Sequence, residues 1–328
     1  MGDPSGIGPE IVVKTLAHEE VYRACRPIVL ADGRVMEQAI EIAGVPLLLR
    51  RVKEPGEARF KHGTLEILDM PYPGQDAAAL TQESPESAKA AVQCLNRAVE
   101  MALNRALHGV AAGPIAGKGL RAAGHKEPNQ AELVGELARS GRRTMMLMAG
   151  SLRVASATGC MTVSRALSQL NRSRVFAAIR LSHQTLQRLG IKKPRIGVAA
   201  LNPCADEREP AEEEAREIVP AIDDSKQDRI EVEGPLATQE LLSKLADGHF
   251  DAGVVMYHDQ GFPAAKALST RLAGAGKSQP AVMVIMGLPT TCVVVDHDPE
   301  FESAGKGVAG EESLLMAVQV AARLAAGS

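Results

Sequence analysis

At 328 residues, with 45% hydrophobic and 23% charged positions, the chain is long enough for one large or two medium domains around a sizeable apolar core. With five Phe, three Tyr and no Trp, that core must be built from Ala, Val, Leu, Ile and Met, and stacking platforms for single-stranded nucleic acid are scarce. A formal net charge of −3 gives no basic footprint for a phosphate backbone, so nucleic-acid binding is not expected.

The opening "MGDPSGIGPE" lacks the charged and apolar regions of a signal peptide, and Gly6 stands where a myristoylation signal needs Ser or Thr. Its glycines permit positive φ and close backbone approach, and Pro9 suits a first helical turn. The segment reads either as a plain strand-to-helix turn or as an anion site at a helix N-terminus; it is not G-x-G-x-x-G. A strand is expected just before it. No apolar run approaches the ~18 residues of a membrane helix. An odd count of five cysteines, Cys25, Cys94, Cys160, Cys204 and Cys292, argues against a disulfide framework. The expectation is a soluble, cytoplasmic protein.

In chain order, "PIVLAD", "HGVAAGPI", "TMMLMAG", "LRVASAT", "RIGVAAL", "AGVVMYH" and "AVMVIMG" read as strands. Several are continuously apolar, as strands covered on both faces are. Helical patterns lie between them. In "SPESAKAAVQCLNRAVEMALNRAL", Ser84 caps, Pro85 occupies the first turn, and Val92, Leu95, Val99 and Leu103 mark one face. "SRVFAAIRLSHQTLQRLG" closes on Gly190, and the acidic "DEREPAEEEAREI" reads as the solvated start of a helix. This alternation predicts an α/β architecture with a largely parallel sheet.

Ligands of such folds sit outside the carboxyl ends of the strands. That singles out Asp3, the "GPIAGK" turn, Cys160, Cys204, His258 and the "GLPTTC" segment. In "MYHDQGFPAAK", His258 follows a buried strand, with Asp259 and Lys266 close by. A lone histidine is most often a structural hydrogen-bonding group, but a neighbouring carboxylate and ammonium favour a functional role.

Together, "GDPSGIGPE", "AGPI", "LNP", "MYHDQG", "GLP" and "DHDPEFESAGKG" resemble the 4-hydroxythreonine-4-phosphate dehydrogenase family, in family order and over essentially the whole chain. The resemblance implies an isocitrate/isopropylmalate dehydrogenase-like fold: two α/β/α domains with a cleft between them, working as a homodimer with a shared active site. By that likeness, residues 1–118 with 296–328 form a first domain, and 119–295 a second that carries the metal and substrate residues and the dimer interface. It further implies oxidation of a secondary alcohol with NAD(P) and a divalent metal, after which the β-keto acid can lose carbon dioxide.

The metal of that family is held by histidines. Where its pattern reads "THLPL", this chain has "TGCMTV", placing Cys160 at the first ligand; "LNPHAGE" becomes "LNPCADE", placing Cys204 at the second; His258 keeps the third. The family's "PGHTE" substrate segment becomes "PNQAE", which gives Gln130 and Ala131. A phosphate-binding Lys, Asn and Arg become Lys266, Met283 and Cys292, and the lysine of "PINK" falls at Gly117, with Lys118 one place along. Two readings follow. In one, Cys160, Cys204 and His258 form a Cys2His site that favours zinc, the substrate is altered, and Asp259 or Lys266 takes part in proton transfer. In the other, the chain is a metal-free or non-catalytic paralog that keeps the dimeric fold as a binding or structural protein. For the cofactor, the likeness points to Asp296, His297 and Gly305, with Asn202 nearby. The family's Gly-Thr after the histidine is Asp298-Pro299 here, and the extra carboxylate favours NAD over NADP.

Overall fold

The structure, a computed structural model, describes residues 1–72, 83–141, 143–203, 211–274 and 279–327. The chain divides into two compact units, Met1–Ser140 with Pro289–Ala325, and Gly141–Leu288 with Ala326–Ser328. Both are mixed α/β. None of the helices among the described residues is long and apolar enough to cross a membrane.

In the first unit, helices α1 (Gly8–Leu16) and α2 (Glu19–Ala24) precede strand β1 (Val29–Ala31), and α3 (Gly33–Ala43) leads to β2 (Leu48–Val52) and β3 (Thr64–Asp69). These strands form a parallel sheet in the order β1-β3-β2. Helix α4 (Pro85–Leu103) follows the sequence closely. Ser84 accepts from the Ser87 N–H at 3.1 Å, Ser87 reciprocates to complete a capping box, and Pro85 sits in the first turn. Val92, Leu95 and Val99 are buried. Leu103 is 36% exposed because the helix ends on it, so the expected apolar face stops one turn short. Strand β4 (Gly109–Ala112), short helices α5 (Gly117–Ala122) and α6 (Gln130–Leu137), and, late in the chain, β11 (Thr291–Val295) and α12 (Glu312–Ala326) complete this unit, with β4 parallel to β11.

The second unit runs β5 (Thr144–Ala149), β6 (Leu152–Ser156), α7 (Val163–Gln169), α8 (Arg172–Arg188), β7 (Arg195–Ala199), α9 (Val219–Gln227), β8 (Glu231–Leu236), α10 (Thr238–Ala246), β9 (Ala252–Val255), α11 (His258–Ala273) and β10 (Ala281–Met286). Its strands are ordered β10-β5-β6-β9-β7-β8. The β6-β9-β7-β8 part is parallel, but β5 pairs antiparallel with both β6 and β10, so the sheet is mixed rather than largely parallel. Gly150 and Ser151 make the two-residue hairpin between β5 and β6, with Gly150 at φ 55°. Gly197 of β7 and Gly253 of β9 are register partners. A Cβ on the former would lie 2.4 Å from Leu241 Cδ1, and on the latter 2.8 Å from Leu245 Cδ1. The paired glycines thus let α10 pack directly on the strands that position the candidate site.

Candidate active site

Strands β6, β9 and β7 lie side by side and parallel, so the turns after them open on one edge of the sheet. Cys160 lies in the turn after β6, His258 starts α11 just after β9, and Asn202 follows β7. Main-chain and side-chain bonds lock the first two turns together: Ala157 N–H donates to Val255 O at 2.8 Å, and Thr158 Oγ1 donates to Met256 O at 2.9 Å. Gln260 ties the third. Its Oε1 accepts from Met256 N–H at 2.7 Å while its Nε2 donates to Ala200 O at 2.6 Å, joining the β9–α11 turn to the end of β7. The sequence reading passed over Gln260, because only the neighbouring strand order gives it a partner.

His258 Nδ1 lies 2.7 Å from the Asp259 carboxylate, and the imidazole packs on the Phe262 ring at 4.8 Å between centroids. With Nδ1 turned to a carboxylate, Nε2 is the nitrogen left for a metal or a proton. Lys266 is half-buried on the same helix, about two turns further along. Asn202 is held by acids: its N–H donates to Glu214 Oε1 at 2.8 Å, and its side-chain amide donates to Glu213 and Glu214, each at 3.1 Å. Glu214 is buried and opens a π-helical turn, Glu214–Ile218, where a wholly solvated acidic helix start was expected. Cys204 lies outside the described residues, as does the beginning of that acidic stretch.

The remaining candidates in the second unit and all those in the first can be placed as plainly. Met283 is buried in β10, opposite Leu147 of β5. Cys292 is buried in β11, where desolvation pushes its thiol up to about 12. Gln130 is buried at the start of α6 and donates through Nε2 to Gly113 O at 3.0 Å, with Ala131 buried beside it. The glycine-rich opening folds against the same turn. Asp3 N–H donates to Pro114 O at 2.9 Å, and Gly2, at φ 86°, lies so close to Gly113 that a Cβ would meet its carbonyl carbon at 2.8 Å. Asp3 itself is buried, which raises its carboxyl above the usual range despite bonds from Ser5 and Ser87. Lys118 pairs with Glu83 and lies 5.0 Å from the centre of the Phe301 ring.

Asp296, His297 and Gly305 lie on the segment that follows β11. Its near end is fixed by Ile7 N–H donating to Pro299 O at 2.8 Å. Its far end is held by α1: Glu10 accepts from the N–H groups of Gly307 at 3.1 Å and Ala309 at 2.7 Å, while Lys14 Nζ donates to their carbonyls at 2.9 and 2.6 Å. The i,i+4 spacing of Glu10 and Lys14 was visible in the sequence, but not that it clamps a loop almost 300 positions away.

The residues fit the groups that the resemblance implies in chemical type. A cysteine sulfur and an imidazole whose other nitrogen faces a carboxylate are donors of the kind zinc takes. Among the described residues no set of three His, Cys, Asp or Glu side chains is placed to share a metal ion. The segment carrying Asp296 and His297 bears a carboxylate and an imidazole, the latter with Nδ1 2.9 Å from Asp298 O. At Gly305, no described atom lies within 4 Å of where a Cβ would stand, leaving its backbone open to close approach.

The family model described as pyridoxal phosphate biosynthetic protein PdxA matches residues 23–321. A D-threonate 4-phosphate dehydrogenase of Cupriavidus necator is 37% identical over 99% of this chain and 96% of its own. The crystal structure of a 4-hydroxythreonine-4-phosphate dehydrogenase from Burkholderia phymatum superposes with a TM-score of 0.80 at 35% identity, covering 99% of this chain and 96% of that one. A terephthalate 1,2-cis-dihydrodiol dehydrogenase from Burkholderia xenovorans gives a TM-score of 0.68 at 25% identity, covering 98% and 96%. With a family match over most of its length and relatives aligned nearly end to end, the chain belongs to the PdxA family of pyridoxal phosphate biosynthetic proteins, whose relatives reported above are named as dehydrogenases.

Proposed function

We propose that the chain is an NAD-dependent, divalent-metal-assisted dehydrogenase that oxidises a secondary alcohol, and that its substrate departs from the phosphorylated hydroxy acids named for its relatives. The observation that carries this reading is the meeting of the Cys160, His258 and Asn202 turns at the carboxyl ends of β6, β9 and β7. Cys204 is two residues beyond Asn202 in sequence. A divalent metal held by Cys160, Cys204 and His258, with zinc favoured by the thiolates, supplies Lewis acidity to a substrate hydroxyl. NAD, bound by Asp296, His297, Gly305 and Asn202, supplies the hydride acceptor.

The protein's own part is positioning and proton handling. Asp259 fixes the orientation of His258 through Nδ1. Asp259 and Lys266 are the groups assigned to the departing hydroxyl proton. The substrate end is Gln130, Ala131, Lys266, Met283 and Cys292. Of these only Lys266 carries a positive charge, and Gln130 already spends one amide hydrogen on Gly113. A site so poor in cations binds a phosphate weakly, because charge-assisted bonds are the strong ones. The named substrate of the Burkholderia xenovorans relative is a dihydrodiol of a dicarboxylate and carries no phosphate. The assigned domains, 1–118 with 296–328 and 119–295, and a homodimer with a shared site belong to the same reading.

The test is NADH formation with D-threonate 4-phosphate against unphosphorylated carboxylated secondary alcohols. Losing two charge-assisted bonds worth about 1.5–3 kcal/mol each should leave the phosphorylated compound at least about 100-fold below the best alternative in kcat/KM. Rapid turnover of the phosphorylated compound would overturn the altered substrate. No NADH from any alcohol, with or without added zinc, would favour the non-catalytic paralog.

A further inference from the structure

Beyond the end of β7, the hydrogen bonds of Asn202 have only one possible polarity. Its main-chain N–H donates to Glu214 Oε1 at 2.8 Å, and its side-chain Nδ2 lies 3.1 Å from both Glu213 Oε1 and Glu214 Oε1. An ionised carboxylate accepts and does not donate, so the nitrogen of the amide, not its oxygen, belongs on the side of the two acids. That nitrogen carries two hydrogens, and the acids take both. Oδ1 stands at the other end of the planar amide and has no partner among the described residues. One acceptor would suffice to tie down the turn; the second fixes which end of the amide faces outward.

The acids are not free to follow a rotating amide. Glu214 is buried and opens the π-helical turn, in which Val219 N–H reaches back five residues to Glu214 O. Such turns are rare and recur at functional sites. Glu217, in the same turn, accepts from the N–H of Arg172, the first residue of α8, at 2.8 Å. Asp224 of α9 holds the Arg172 guanidinium at 2.7 and 2.5 Å, so the turn is anchored to α8. The backbone N–H of Glu213 and then the Asn202 amide hold the Glu213 carboxyl below the usual glutamate range, which keeps it an acceptor at neutral pH.

We infer that Glu213 and Glu214 are positioning residues that set the polarity of the Asn202 amide, and that Asn202 Oδ1 takes a hydrogen-bond donor of the bound cofactor. This rests on the proposed reading in which Asn202 lines the NAD site. An acceptor backed by two carboxylates suits a ribose hydroxyl or the N–H of the nicotinamide carboxamide. It rejects the pyrophosphate, whose oxygens only accept and whose charge the acids repel. The corner after β7 therefore selects a nucleoside end of the cofactor over its phosphates.

NMR of the full chain with isotope-labelled asparagine reads both ends of the amide, the Asn202 signals being identified by their loss in Asn202→Ala. Before NAD is added, both Nδ2 hydrogens should exchange at least about tenfold more slowly than those of a solvated amide. Bound NAD should then move the Cγ resonance downfield, as a carbonyl that accepts a bond does, without loss of that protection. The acetylpyridine analogue of NAD has no carboxamide N–H and separates the two donors: a retained shift assigns the hydroxyl and a lost one the carboxamide, and either supports the inference. Glu213→Gln exchanges a charge-assisted bond for a neutral one. It should speed exchange of one Nδ2 hydrogen and weaken NAD binding about fivefold at an unchanged melting temperature. Fast exchange of both hydrogens in the native protein would overturn the inference, whether or not NAD binds. So would a Cγ resonance unmoved by bound NAD, or tighter NAD binding in Glu213→Gln, the result expected if the acid only repels phosphate. Absence of any NAD binding would overturn the donor contact together with the cofactor reading, and slow exchange would then leave the polarity alone standing.

Discussion

Burial decides what Cys292 and Glu66 can do. Cys292 is the second residue of an all-buried strand, with its thiol pushed up to about 12 by desolvation. It is protonated at neutral pH, so in the native protein its alkylation by iodoacetamide should follow the global unfolding rate; labelling as fast as a free thiol would contradict this placement. Glu66 is buried in β3 and faces the Arg50 guanidinium and the N–H groups of Arg59 and Phe60, at 2.7 and 2.5 Å. Burial works against its ionised form, but these donors prevail and hold its carboxyl below the usual glutamate range. A depressed folded-state pKa contributes stability above the unfolded value, and that stability is lost as pH falls through the folded value. Glu66→Gln should therefore cost about 2 kcal/mol at neutral pH and progressively less below about pH 4.5. Urea denaturation across that range checks it, and a penalty independent of pH would contradict it. The sequence singled out Cys292 by its motif but not its depth of burial, and a glutamate inside a strand reads as surface until its partners fold around it.

At the scale of elements, continuous apolar runs were easy to read. The strands β1, β4, β5, β6, β7, β9 and β10 fall within the predicted runs. Those left unread are instructive. β2 carries Arg50 and Arg51, β3 carries Glu66, and β8 contains Glu231, Glu233, Gly234 and Pro235, so charge or turn residues break the apolar pattern that marks a buried strand. β11 is apolar, but it lies between two motifs that drew attention away from its strand character. The α1 clamp on the loop at Gly307–Ala309 was equally invisible, because its partners are distant in sequence. Glu10 is buried and holds two backbone N–H groups as well as Lys14. Glu10→Ala should cost about 3 kcal/mol and weaken NAD binding by loosening the Gly305 turn, whereas Glu10→Gln should retain most of the affinity. Thermal melts and NAD titration separate the effects; a destabilised variant with unchanged NAD affinity would detach this loop from the cofactor.

For the whole molecule, fold class and family were legible because the motifs occur in family order from end to end, and the matches span nearly all of the chain. The mixed sheet was not, since a parallel expectation cannot anticipate the β5–β6 hairpin and the antiparallel return of β10. The proposed shared active site would require two chains; on that proposal the protein should sediment as a dimer at micromolar concentration, and a monomer that still reduces NAD would contradict it. The central claim is that cysteines have replaced histidines without loss of the metal. Elemental analysis of protein purified without added metal tests it most directly. About one zinc per chain is expected in the native protein, lost in Cys160→Ala and His258→Ala while their melting curves stay cooperative and NAD still binds. Metal-free native protein that takes up no zinc on titration, yet folds and binds NAD, would contradict it.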